Sequence, residues 1–89
     1  MELKNKNQLY AICKHKETEE YHVFVTHYKM EDQKCYFSSK ECICGSMHTS
    51  DMEKCILSCA PLEKIRDKAA AVGNTICGNC MKSIYKTED

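Results

Sequence analysis

Tyr21-His22-Val23-Phe24-Val25-Thr26-His27-Tyr28-Lys29-Met30 is the stretch from which the fold is read. It is rich in β-branched and aromatic residues, which favour a pleated, half-buried strand. Side chains two apart in a strand share a face, so Tyr21, Val23, Val25 and His27 lie on one side and Phe24, Thr26, Tyr28 and Met30 on the other. Upstream, Leu9-Tyr10-Ala11-Ile12-Cys13 is a short apolar run, joined to it by the charged connection Lys14 to Glu20. Downstream, Glu31-Asp32-Gln33 is a turn candidate and Lys34-Cys35-Tyr36-Phe37 a third short strand. The simplest topology for these three runs is an antiparallel meander.

The second half carries a helical spacing. Ser50-Asp51-Met52-Glu53 has the form of a capping box, in which Ser50 and Glu53 satisfy each other's backbone N–H. Met52, Cys55, Ile56, Cys59 and Ala60 follow at offsets that place them on one face of a helix. Pro61 either kinks that helix or opens a second one. Leu62, Ile65, Ala69 and Val72 continue the apolar stripe, with Glu63, Lys64, Arg66, Asp67 and Lys68 outside it. Gly73-Asn74 supplies a left-handed cap, and Met81 to Lys86 has room for a short last helix. The expected fold class is α+β: a single domain over residues 1–89, with a three-stranded meander, one or two helices and a C-terminal Cys-x-x-Cys knuckle.

Composition adds a constraint. Only 15 of the 89 residues are Leu, Ile, Val or Phe, below the roughly 20% usual in chains that fold unaided. Net charge is zero, with 13 basic and 13 acidic residues, so the balance does not favour disorder or a basic nucleic-acid coat. The two halves are equally balanced, and Glu63 and Asp67 interleave with Lys64 and Lys68. Apolar runs are far too short to cross a bilayer. A domain with so thin a core needs a staple, and its eight cysteines are the evident source. The polar opening Met1 to Gln8 has no apolar run resembling a signal peptide, which points to the cytosol. Thiols are kept reduced there, so the eight read as metal ligands together with buried thiols, with four disulfides or eight free thiols as the alternatives.

Cys77-Gly78-Asn79-Cys80 has the spacing of a metal knuckle, with Gly easing the turn that aims backbone N–H groups at the sulfurs. Cys42-Ile43-Cys44-Gly45 places two thiols on one side of an extended segment. Cys42, Cys44, Cys77 and Cys80 together form a closed four-thiolate Zn²⁺ site, structural because no position stays open to substrate. Cys55 and Cys59 read as thiols of a helical core, with a rival ligand set of Cys42, Cys44, Cys55 and Cys59 beside that reading. Cys13 and Cys35 read as strand thiols, with a second site involving His15 or His27 as the alternative. His48 is either a substitute ligand or a loop histidine near the helix start. His22 and His27 fall on opposite strand faces, which suggests no catalytic cluster containing both. Replacement of Cys77 or Cys80 is expected to unfold the domain, and replacement of Cys13 to be milder.

Asn74 to Lys86, with its Cys77/Cys80 knuckle, resembles the second knuckle and following helix of treble-clef zinc fingers, the GATA type among them. The resemblance implies that the last two ligands sit at a helix N-terminus and that nucleic acid is a partner, with Lys82, Lys86, Lys64 and Lys68 on phosphates. The framing of a long insert by two cysteine pairs is similar to the phage recombination-endonuclease VII group, which implies a metal-dependent nuclease, here limited to His48 and Asp51. In style the chain resembles small phage-encoded accessory proteins. The function expected is a cytoplasmic zinc-binding module, not an enzyme, that regulates or inhibits by binding another protein; its Tyr10, Tyr21, Tyr28, Tyr36 and Tyr85 are residues favoured in interfaces.

Overall fold

The computed structural model describes residues 8–86. The polar opening at residues 1–7 and the tail at 87–89 lie outside the described residues, as do the side chains of Asn74, Tyr85 and Lys86. The three expected strands are present as β1 (Leu9–His15), β2 (Tyr21–Lys29) and β3 (Lys34–Phe37). They pair as an antiparallel meander, with Ile12 opposite Val23 and His27 opposite Tyr36. Val23, Phe24, Ile12 and Ala11 are fully buried at its centre.

The segment expected to begin the helical half is instead a strand, β4 (Met52–Pro61), antiparallel to the other side of β1. The sheet order is β3-β2-β1-β4. Two physical facts explain the correction. Without β4, one edge of β1 would carry a row of unpaired backbone groups in a buried strand, which is costly. The pairing register of β4 against β1 also shifts at three places. Each extra residue at such a bulge interrupts the two-residue alternation. A strand interrupted in this way spaces its apolar residues irregularly, and the result imitates a helical stripe. One bulge holds Cys59 at φ 44°, a left-handed conformation unusual for a residue with a Cβ.

The capping box is present in a different place. His48 Nδ1 accepts from the Ser50 N–H at 3.1 Å, and Asp51 accepts from the His48 N–H at 3.3 Å. Together they cap a single 3₁₀ turn, Thr49–Asp51, that leads into β4. His48 is therefore the loop histidine of the two readings. Pro61 precedes α1 (Leu62–Val72), whose Ile65 and Ala69 are buried, and Gly73 at φ 64° ends it as expected. A 3₁₀ turn, Gly73–Thr75, leads to α2 (Gly78–Lys86). The Arg66 guanidinium of α1 donates to the Ile84 carbonyl of α2 at 2.9 Å.

Four cysteines read as buried thiols are instead joined in pairs. Cys13 is disulfide-bonded to Cys55, its partner across β1 and β4. Cys35 is bonded to Cys59, linking β3 to β4. Since β3 and β4 are the two outer strands of the sheet, the second disulfide requires the sheet to curl until its edges meet. The left-handed residue at the β4 bulge is the same Cys59 that makes this link. This arrangement supplies covalently part of what the sparse aliphatic core lacks.

Candidate metal centre

The first three residues of β2 are the platform of the site. β3 pairs with β2 only from Thr26 to Lys29, so the edge of β2 near Tyr21 is left for other segments. Two dock there through the backbone. The Ile43 N–H donates to the Val23 carbonyl at 2.8 Å, and the Cys77 N–H to the Tyr21 carbonyl at 2.7 Å. Tyr21 and Ile76 also form a parallel bridge. One strand edge therefore carries both cysteine knuckles, although they are far apart in the chain.

Each knuckle is locally determined. Cys42 to Gly45 is a tight turn closed by the Gly45 N–H donating to the Cys42 carbonyl, with Gly45 at φ 80°, where a side chain would be strained. The Cys42 N–H donates to the Met47 carbonyl, and Met47 is buried beneath the turn. In the second knuckle Cys77 precedes α2 and Cys80 lies in its first turn. The positive end of a helix dipole and its free N–H groups favour negative charge at such a position.

These elements bring the four expected cysteines together, and none of them is in a disulfide. The Cys44 sulfur lies 3.3 Å from that of Cys42, 3.7 Å from Cys77 and 3.5 Å from Cys80. His22, which the sequence did not single out as a ligand, faces the same point. Its Nδ1 is 3.7 Å from the Cys42 sulfur, 3.9 Å from Cys44 and 3.7 Å from Cys80. Zinc–sulfur bonds of about 2.3 Å and zinc–nitrogen bonds of about 2.0 Å in a tetrahedron put neighbouring sulfurs roughly 3.8 Å apart, and sulfur and nitrogen roughly 3.6 Å apart. The observed separations match those edges, so the cluster can hold one ion. His22, Cys44, Cys77 and Cys80 have ligand atoms all within 4.8 Å of one another.

The electrostatics are those of a buried donor set in need of a cation. Burial pushes the Cys80 thiol far above its ordinary value, and the Val23 N–H, donating to its sulfur at 3.3 Å, only partly opposes this. A bound divalent ion is the kind of charge that reverses such a preference and deprotonates a coordinating thiol. Burial also lowers the His22 pKa, against the opposing attraction of Glu20. His22 Nε2 lies 3.2 Å from the Glu20 carboxylate. That contact is satisfied by a proton on Nε2, which leaves the Nδ1 lone pair facing the sulfurs.

The remaining candidates lie elsewhere. Cys55 and Cys59 are bonded to Cys13 and Cys35, which removes the rival ligand set and a second site built on Cys13 or Cys35. His27 bonds the Ser38 hydroxyl and stacks on Tyr36. His15 caps the β1–β2 turn by accepting from the Glu17 N–H. The only local signal for His22 in the sequence was the Glu20-x-His22 spacing, which puts a carboxylate and an imidazole on one side of a strand.

No protein-family model, curated protein or solved structure matches this chain. Among the described residues, no helix is long and apolar enough to cross a membrane.

Proposed function

We propose that the chain is a zinc-stabilised module that acts by binding another protein, as a regulator or inhibitor. The observation that carries this reading is the β2–β3 hairpin. Tyr28, Met30 and Phe37 are the large apolar side chains left exposed among the described residues, at 45%, 78% and 38%. Tyr28 is opposite Cys35, and Phe37 is opposite Thr26 on the same two strands, so Tyr28 and Phe37 share a face. Phe37 is anchored edge-on against the buried Phe24, with ring centroids 5.2 Å apart. Aromatic residues and Met are enriched at the centres of protein interfaces, where a few anchors carry most of the binding energy. The metal centre at the start of β2 gives this hairpin a rigid base, and preorganisation of that kind lowers the entropy lost on binding.

Zinc is the metal this reading names, because thiolate-rich tetrahedral sites without an open position suit it. The cytoplasmic assignment fits the metal centre, whose thiols must be reduced. The two disulfides are characteristic of oxidising surroundings; in the cytosol, Cys13, Cys35, Cys55 and Cys59 would stand as thiols.

Affinity capture compared between wild type and Met30→Lys tests the reading. A partner retained by wild type should be lost from the variant, with the melting temperature unchanged because the Met30 side chain is largely exposed. Capture of nucleic acid instead, weakening steeply as salt rises, would replace the proposal with the nucleic-acid reading.

A further inference from the structure

Five donors converge on a centre that needs four, and we propose that the zinc ligands are His22, Cys44, Cys77 and Cys80, with Glu20 orienting the imidazole and Cys42 remaining an unligated thiol. This rests on the zinc-stabilised reading above and specifies its site.

Three observations choose His22 over Cys42. The first is mutual distance: His22, Cys44, Cys77 and Cys80 form the group whose ligand atoms all approach one another within 4.8 Å, and Cys42 stands outside it. The second is the surroundings of His22. Metal-bound histidines commonly donate their other ring N–H to a carboxylate, which fixes the tautomer and strengthens the ligand. The Nε2–Glu20 contact at 3.2 Å supplies that carboxylate, and it leaves Nδ1 aimed at three of the sulfurs. Such a ring is built as a ligand; a packing histidine needs no acceptor nitrogen turned into a thiol cluster.

The third is charge. Four thiolates around Zn²⁺ leave two net negative charges, whereas three thiolates and a neutral imidazole leave one. Cys42, Cys77 and Cys80 are all buried, and so is His22. Burying the second charge is expensive unless it is compensated. The compensation on view at these sulfurs is the N-terminus of α2 at Cys77 and Cys80, the Val23 N–H on Cys80 and the Ser46 hydroxyl 2.9 Å from the Cys44 sulfur; none of these is a full cation. Kept as a thiol, Cys42 has an acceptor for its S–H in the Cys44 sulfur 3.3 Å away. It therefore acts as a hydrogen-bonding neighbour of a ligand.

X-ray absorption at the zinc edge of the intact, zinc-loaded protein provides the direct test. Three sulfurs and one nitrogen are expected in the shell. Four sulfurs would overturn the assignment while leaving the zinc-stabilised module standing; failure of the protein to bind zinc at all would remove both. In competition with a chromophoric chelator, Cys42→Ser should keep one equivalent of Zn²⁺ within about tenfold of wild-type affinity. Glu20→Gln should weaken binding by roughly 10–100-fold, as loss of an orienting carboxylate does elsewhere. A folded Cys42→Ser that binds no zinc, or a Glu20→Gln that binds as wild type does, would also overturn it. If Cys42→Ser does not fold, the wild-type absorption spectrum decides the matter alone.

Discussion

Removal of the proposed zinc by a strong chelator, or Cys77→Ser, is expected to abolish the cooperative melting transition. Cys77 is both a donor and the residue whose N–H bonds the Tyr21 carbonyl. Its loss frees α2 and the Ile76 bridge from the edge of β2, exposing Ile84 and Ile76, which are buried in the folded protein. Structural zinc in small modules contributes about 10–16 kcal/mol of apparent binding free energy. Whole domains are stable by only about 5–15 kcal/mol. The metal term is thus as large as everything else combined, and its removal should leave an expanded chain still stapled at its two disulfides. Melts followed by circular dichroism with and without chelator would show it. A transition at the same temperature in both would mean that the cluster is a set of buried thiols and not a metal centre.

The second large effect concerns the closure of the sheet. Paired replacement of Cys35 and Cys59 by Ser is expected to cost about 3 kcal/mol, the chain entropy returned to the unfolded state when a loop of this length is opened. Their sequence separation is 24 residues. In a domain of this size each kcal/mol moves the melting temperature by roughly 4–8 °C, so a fall of well over 10 °C is expected. The loss should be accompanied by faster amide exchange in β3, which is paired with β2 over four residues and held at its other side by the disulfide. Replacing both partners avoids leaving an odd thiol. The Cys13 and Cys55 pair closes a longer separation of 42 residues, and its removal should cost slightly more. This reverses the expectation that a Cys13 substitution would be mild. A double variant melting within about 3 °C of wild type would show that the link is not formed in the folded protein.

These two effects divide the stapling between different parts of the molecule. The disulfides hold β4 to β1 and β3, where strand edges meet. The donor cluster holds the Cys42 turn and α2 to the start of β2, where there is no covalent link. In between, Ile12, Phe24, Val23, Ile65 and Ile84 are fully buried. That is a small core, and it fits a composition in which sulfur replaces much of the missing aliphatic mass.

Much of this was determined by local sequence. Alternation from Tyr21 to Met30 specified β2, because a period of two has one backbone solution there. Gly73 marked the end of α1, because it accepts the positive φ found there, whereas Pro61 suited either a kink or a helix start until the strand before it decided for the start. The knuckle spacing of Cys77 and Cys80, and the turn glycine after Cys44, identified the four thiols that converge. In contrast, β4 was decided by tertiary structure. Its residues fit a helix as well as a bulged strand, and the unpaired edge of β1 selected the strand. The partners of Cys13 and Cys35, and the presence of His22 beside the sulfurs, were also beyond local reading: such contacts join segments 24 to 58 residues apart, and their geometry exists only after the sheet has curled and both knuckles have docked on one strand edge. Spacing along a chain reports what neighbouring residues can do together, whereas a bond between distant residues depends on the path of everything between them.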